Sequence, residues 1–227
     1  MSLGAIIDRV ERSQRRLTLV SPPSRAVVDR VERAFAPLWV RVDVEEGTDR
    51  PTAMVHDGTD VVSVVPLDES DAGLESATDA LTSALSTPEC TTFASADRRG
   101  MVAATREIED RAWRVRRGRL RAGFQHVRAL VDQRAVYARL SLVLDVHAYA
   151  APDGRRHPPD VGSAIVHLDA APEIERSWFV VYDGGDGANE YKCTLLAEER
   201  DDGRFSGFLT YAPDLVDEID AYLAAAY

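Results

Sequence analysis

The apolar positions of this chain follow two periods, and the places where one gives way to the other divide it into elements. Spacings of three and four residues predict helices. Leu3, Ile6, Ile7 and Val10 mark a first helix, capped by Ser2, and Val27, Val28, Val31 and Phe35 mark a second between Ser24 and Pro37. Leu74, Thr78, Leu81 and Leu85 mark a third in the acidic stretch from Asp68 to Ser86, which Thr87-Pro88 ends. The longest signal lies in Gly100 to Gln125, where Met101, Ala104, Thr105, Ile108, Ala112 and Val115 form one stripe. Asp97 is placed to cap this helix and Gly118 to leave it in the left-handed conformation. Leu120, Phe124, Val127, Val131 and Ala138 continue the helical spacing, so a second helix is expected from Gly118 to about Leu140.

Alternation predicts strands. Leu17 to Val20 is short, and Leu38 to Val44 sets Leu38, Val40, Val42 and Val44 against Trp39, Arg41 and Asp43. Thr52 to His56 and Asp60 to Val65 flank Asp57-Gly58, a hairpin signal. In the last third, strands are expected at Asp145 to Tyr149, Ala164 to Leu168, Trp178 to Tyr182, Tyr191 to Glu198 and Phe205 to Tyr211. Glycine-rich turns join the last three into an antiparallel meander, and a terminal helix from Pro213 should bury Leu215, Ile219 and Leu223. The expected fold class is α+β, a mixed or antiparallel sheet with flanking helices. Its parts are a β-α-β-like N-terminal lobe at about 1–67, a helical middle at about 68–141 and a C-terminal sheet lobe at about 142–227, with the meander packed on a long central helix. Without a repeat or an evident linker, residues 1–227 read as one domain.

Composition narrows the setting. A chain of 227 residues can bury a core without staples, and Cys90 and Cys193 sit in no metal-like or CxxC spacing, so free thiols are expected. No apolar run approaches the roughly 18 residues of a membrane span, and the start has no leader pattern, which points to a cytoplasmic protein without membrane contact. The formal charge is −11, and Lys192 is the single lysine among 27 basic residues, a balance suited to a high-salt cytoplasm. Phosphate attraction weakens steeply with salt, so nonspecific nucleic-acid binding is disfavoured as a main role.

Arg111, Arg114, Arg116, Arg117, Arg119 and Arg121 make the one basic patch, suited either to capture of an anion by guanidinium forks or to pairing with neighbouring carboxylates. Trp113, Phe124, Tyr149, Trp178, Tyr182 and Phe208 would line a pocket if the long helix crossed the C-terminal sheet, and would otherwise be core. His147 and His167 fall on neighbouring strands but lack a third ligand, so no metal is assigned. Glu198 and Glu199 are successive strand positions that point apart, and Lys192 reads as a surface charge. Asp183-Gly-Gly-Asp-Gly is a turn lacking the residues of a calcium repeat or a GGDEF motif. With no GxSxG, HExxH, GxxxxGK[ST] or GxGxxG, no catalytic residue is assigned, and no cofactor is specified.

REIEDRAWR at Arg106 to Arg114, GRLRAGFQ at Gly118 to Gln125, WFVVYDGG from Trp178, KCTLLAEER from Lys192 and FSGFLTY from Phe205 resemble the DICT sensory domain of stand-alone proteins in halophilic archaea. The resemblance implies an α+β sensory module that works with diguanylate cyclases, two-component kinases and similar signalling domains, with a proposed link to light responses. It supplies no ligand. No kinase, GGDEF or helix-turn-helix segment accompanies it here, which implies output by partner contact. The expected function is therefore a non-catalytic sensory or regulatory domain that binds a small ligand or a signalling partner, with a homodimer as its expected assembly. Arg111, Arg114, Trp113, Phe124, His147, Tyr149, Trp178 and Tyr182 are the candidate ligand residues. The alternatives are a nucleic-acid-associated regulator using the arginine-rich helix and an enzyme of unrecognised type.

Overall fold

The computed structural model describes residues 2–12, 16–35, 40–47, 50–57, 60–85, 90–154, 158–186, 188–200 and 203–227. Pro37, Leu38, Trp39, Gly58, Ser86, Thr87, Pro88 and Gly187, which figure in the expected helix ends, strand and turns, lie outside them. The fold is α+β, with the elements in two compact units, residues 9–88 and residues 1–8 with 89–227. The expected helical middle divides between the units, its acidic helix falling in the first and the arginine-rich one in the second.

In the first unit, β1 (Arg16–Val20), α2 (Arg25–Phe35) and β2 (Arg41–Glu45) form a β-α-β turn, since β1 and β2 pair in parallel. β3 (Thr52–Asp57) and β4 (Asp60–Pro66) add antiparallel strands to give the order β2-β1-β3-β4. The core is the one read from the spacing of α2, whose Val27, Val28, Val31 and Phe35 are all buried, joined by Leu74, Ala77, Leu81 and Leu85 of α3 (Asp71–Leu85). Ala77 takes the place expected for Thr78, whose hydroxyl instead donates to the Leu74 carbonyl at 2.8 Å.

The second unit is built on a seven-stranded sheet in the order β5-β11-β10-β9-β6-β7-β8. The expected meander is there as β9 (Ser177–Tyr182), β10 (Cys193–Glu199) and β11 (Phe205–Thr210), all antiparallel. Besides a short 3-10 turn at Asn189–Tyr191, three elements escaped the sequence pattern. β5 (Cys90–Ala96) is an edge strand of small and polar residues around one aromatic, Phe93, and α6 (Pro172–Arg176) is a single turn. The third overturns an expectation: Arg119 to His126, expected to be helical, is strand β6 in the middle of the sheet, antiparallel to β9 and parallel to β7 (Asp145–Ala151). Leu120 and Phe124 satisfy a four-residue and a two-residue period alike, and pairing with two neighbouring strands decides for the strand. The expected second helix is real only from Val127, as α5 (Val127–Leu140), the crossover between β6 and β7. β8 (Ile165–Leu168) pairs in parallel outside β7.

α4 (Arg98–Val115) is capped as expected, Asp97 accepting from the Gly100 amide at 2.8 Å. Its left-handed exit falls on Arg116, with φ 59°, and not on Gly118. Gly118 has φ 91° for a separate reason: a Cβ there would lie 2.4 Å from Asp183 Oδ1, which accepts from the Arg119 amide at the start of β6. α4 lays Met101, Ile108 and Ala112 on the sheet, over Leu120, Ala122, Val180 and Leu195, with Tyr137 and Leu140 of α5 beside them. On the sheet's opposite face lies α7 (Pro213–Ala226), which buries Val216 rather than the expected Leu215, with Ile219 and Leu223. Glu173 of α6 ties the ends together, accepting from the Leu3 amide of α1 (Leu3–Arg12) and from the hydroxyls of Tyr222 and Tyr227 at 2.7 Å each.

Candidate functional site

β6 decides where the chemistry goes, because alternation along a strand sends its neighbours to opposite faces. Leu120, Ala122 and Phe124 face α4 and α5, while Arg119 and Arg121 face α7. The ladder is interrupted between Gly123 and His126, and Gln125 has φ 57°, a conformation costly for a side chain with a Cβ. That break brings Gln125 beside Phe124 at one cavity, where the Gln125 amide donates to Glu199 at 2.6 Å.

The cavity measures about 260 Å³ and is bordered by α4, α5, β6 and β9. Its lining mixes the aromatic side chains Phe124, Tyr137 and Trp178 with polar ones. Phe124 meets Tyr137 edge to face at 4.8 Å between centroids. The Trp178 indole donates to Thr105 Oγ1 at 3.0 Å, and the Arg98 guanidinium lies 5.4 Å from its ring. Glu109, only 4% exposed, is the buried charge of the site. Arg106 donates one guanidinium nitrogen to Glu109 at 2.5 Å and another to Gln133 at 2.6 Å, reaching from α4 across to α5. Burial pushes the Glu109 carboxyl above its ordinary range, against the opposing pull of the Tyr137 hydroxyl and Arg106. The Tyr137 hydroxyl, wholly buried beside that carboxylate, is pushed well above its usual value.

The opposite face of the same strands carries a ladder of charges. Arg119 pairs with Asp145 at 3.0 Å and Asp220 at 3.4 Å, and Arg121, 4% exposed, donates to Asp220 at 2.6 Å and to the Tyr149 hydroxyl at 2.6 Å. His147 Nδ1 lies 2.9 Å from His167 Nε2, and its other nitrogen lies 3.2 Å from Asp145. Burial lowers the pKa of both imidazoles, helped by Arg121 for His147 and by His147 for His167. Tyr149 stacks on His167 at 4.4 Å. Among the described residues no group of three His, Cys, Asp or Glu side chains is arranged to hold a metal.

The eight candidate residues therefore do not share one site. Phe124 and Trp178 line the cavity. His147 and Tyr149 belong to the ladder on the other face, next to Arg121. Tyr182 is buried in the core with its hydroxyl donating to the Arg117 carbonyl at 2.8 Å, and Trp113 lies between the guanidinium groups of Arg116 and Arg139 at 5.1 and 4.9 Å. Arg111 sits 5.0 Å from the Tyr211 ring and Arg114 is exposed at the end of α4. The arginine patch is split by the strand, with Arg119 and Arg121 turned to carboxylates. Arg106, Glu109, Gln125, Gln133 and Tyr137 were not singled out in the sequence. The i,i+3 spacing of Arg106 and Glu109 on one helix was the signal available, but it looks the same on a solvated surface.

Among known proteins, the chain is similar over 98% of its length to a crystal structure of polyphosphate kinase from Porphyromonas gingivalis, at 12% identity and a TM-score of 0.39, and it spans 47% of that protein. A likeness so distant carries no argument about this chain. No curated protein matches it. A family profile does match, described as the sensory domain in diguanylate cyclases and two-component systems, across residues 75–200, which takes in every element that walls the cavity. With more than half of its length matched in this way, the chain belongs to the DICT family of sensory domains.

Proposed function

We propose that this protein is a non-catalytic regulatory domain that senses a small molecule in the cavity between α4, α5 and the sheet and reports it to a signalling partner. The observation that supports this reading most is a cleft against the core of the family's own segment, lined in part by aromatic rings and holding a buried carboxylate tied across two helices by Arg106. Binding cavities combine apolar walls with a few convergent polar groups in this way. A ligand that displaced Arg106 from Glu109 or Gln133 would change how α4 and α5 are joined, a local event that a partner can read. Residues 1–227 act as one module in this proposal, in the cytoplasm of a cell with high internal salt, and no helix among the described residues is long and apolar enough to cross a membrane. A second copy is the simplest partner, with sheet edges such as β4, where Val61, Val62 and Val64 are about half exposed, as the contact. A regulator that grips nucleic acid through its arginines has less support, because Arg119 and Arg121 already pair with carboxylates.

The test is a melting-shift screen of small aromatic and polar metabolites on the wild type and on Ala129→Leu, which fills the cavity from α5. Shifts present in the wild type and absent in the variant are expected. Equal shifts in both would remove the cavity as the site. Light scattering that returned a monomer mass in high salt would remove the dimer.

A further inference from the structure

The polar groups around the cavity also restrict what it can take, and this inference rests on the sensory reading above. Glu109 is a buried carboxylate whose two oxygens offer about four acceptor positions. Arg106 and the Tyr137 hydroxyl use two of them, and Glu109 lines the cavity, so acceptor capacity is left toward the space inside. An anion entering would meet that carboxylate at short range. The same lining carries two guanidinium groups, Arg98 and Arg106, and a second carboxylate, Asp132, so its formal charges cancel. A balanced lining gives a net charge of either sign no overall gain, which favours a neutral ligand. Phe124, Tyr137 and Trp178 give flat walls, which select flat ligands. A volume of about 260 Å³ is below the roughly 300 to 1,000 Å³ of drug-sized sites, so one or two rings fill it.

We infer that the cavity binds an uncharged, planar nitrogen heterocycle of one or two rings that presents adjacent N–H donors to the Glu109 carboxylate. Glu109 reads the donor edge, the aromatic walls hold the ring, and Gln133, now bonded to Arg106, is placed to meet the ligand's rim.

Calorimetry on the full chain with five probes tests this. Isocytosine has the donor edge and no charge, pyrimidine has the ring without the donors, benzamidine has a similar edge on a cation, benzoate is a planar anion, and indole is a mainly apolar plane. Isocytosine should bind about tenfold or more tighter than the other four, the difference expected of a hydrogen bond to a charged group. Glu109→Gln should abolish that preference while circular dichroism stays native. Should Glu109→Gln fail to fold, Gln133→Ala, on the half-buried rim, should weaken isocytosine several-fold and leave indole unchanged. Tightest binding by benzamidine, benzoate or indole, lost in Ala129→Leu, would overturn the ligand class and leave the cavity as a sensor site. No binding by any probe at millimolar concentration, with Trp178 emission unchanged, would overturn both.

Discussion

The two faces of the seven-stranded sheet use the same strands to opposite ends. Toward α4 and α5, apolar side chains form the core and Glu109, the single buried carboxylate among the described residues, sits at the edge of a hollow. Toward α7, β6 and β7 carry Arg119, Arg121, Asp145 and His147 in register, and Asp220 of the helix completes the pairing. Buried charge is tolerated on the second face because each guanidinium is answered by a carboxylate or a hydroxyl. On the first face it is left adaptable, since Glu109 retains room beside it. Fixed pairs make a frame on one face, and the other sets one buried charge beside open space.

The sharpest way to break this comparison is to remove the most buried member of the frame. Arg121→Ala leaves Asp220 with only its longer contact to Arg119 and takes away the donor to the Tyr149 hydroxyl, and should cost about 3 kcal/mol of stability. Thermal unfolding measures it. The double variant Arg121→Met, Asp220→Leu should recover much of the loss, and if it does not, packing and not charge pairing holds that face.

Ile108→Ala acts on the other face. Ile108 is 1% exposed under α4, and truncation there should cost about 2 to 5 kcal/mol as transfer and cavity terms combine. A loss under about 1 kcal/mol would mean that the α4 face is already loose enough to collapse around the gap.

The faces should also respond to pH with opposite signs. His147 and His167 have folded pKa values below their ordinary 6.5, so the unfolded chain binds their protons more readily. Their contribution is complete above about pH 6.5 and is lost as pH falls through the lower folded values. Glu109 is raised above its ordinary 4.5, so its contribution is complete below that pH and is lost as pH rises through the folded value. Melting temperature followed from pH 8 downward should fall below about pH 6.5, and His147→Gln with His167→Gln should flatten that fall. Glu109→Gln should leave the same fall in place. A double histidine variant with an unchanged profile would show that the pair does not titrate with folding.

Arg114→Ala should do least. Its side chain is exposed at the end of α4, and the change should stay within about 0.5 kcal/mol. A larger loss would mark a role for Arg114 in the frame that its exposure does not suggest.

The helical stripes were legible because burial on one side of a helix writes a period of 3.6 directly into the chain. Val27, Val28, Val31 and Phe35 are buried as their spacing implies, as are Met101, Ile108 and Ala112. The meander was legible from its alternation and its glycine turns. β6 was not, because Leu120 and Phe124 suit both periods, and its alternate positions are arginines that look solvent-facing until Asp145 and Asp220 arrive from 26 and 99 residues away. Pairing at such separation leaves no local trace. The cavity is harder still, since Arg106 and Gln133 meet only when α4 and α5 are laid on one sheet, and Gln125 joins them only through a break in the ladder. The chain by itself determined which side of each regular helix is buried, through the cost of exposing apolar surface. Where the charges went, and where a hollow remained, was decided by tertiary structure, because both depend on which distant strands and helices become neighbours.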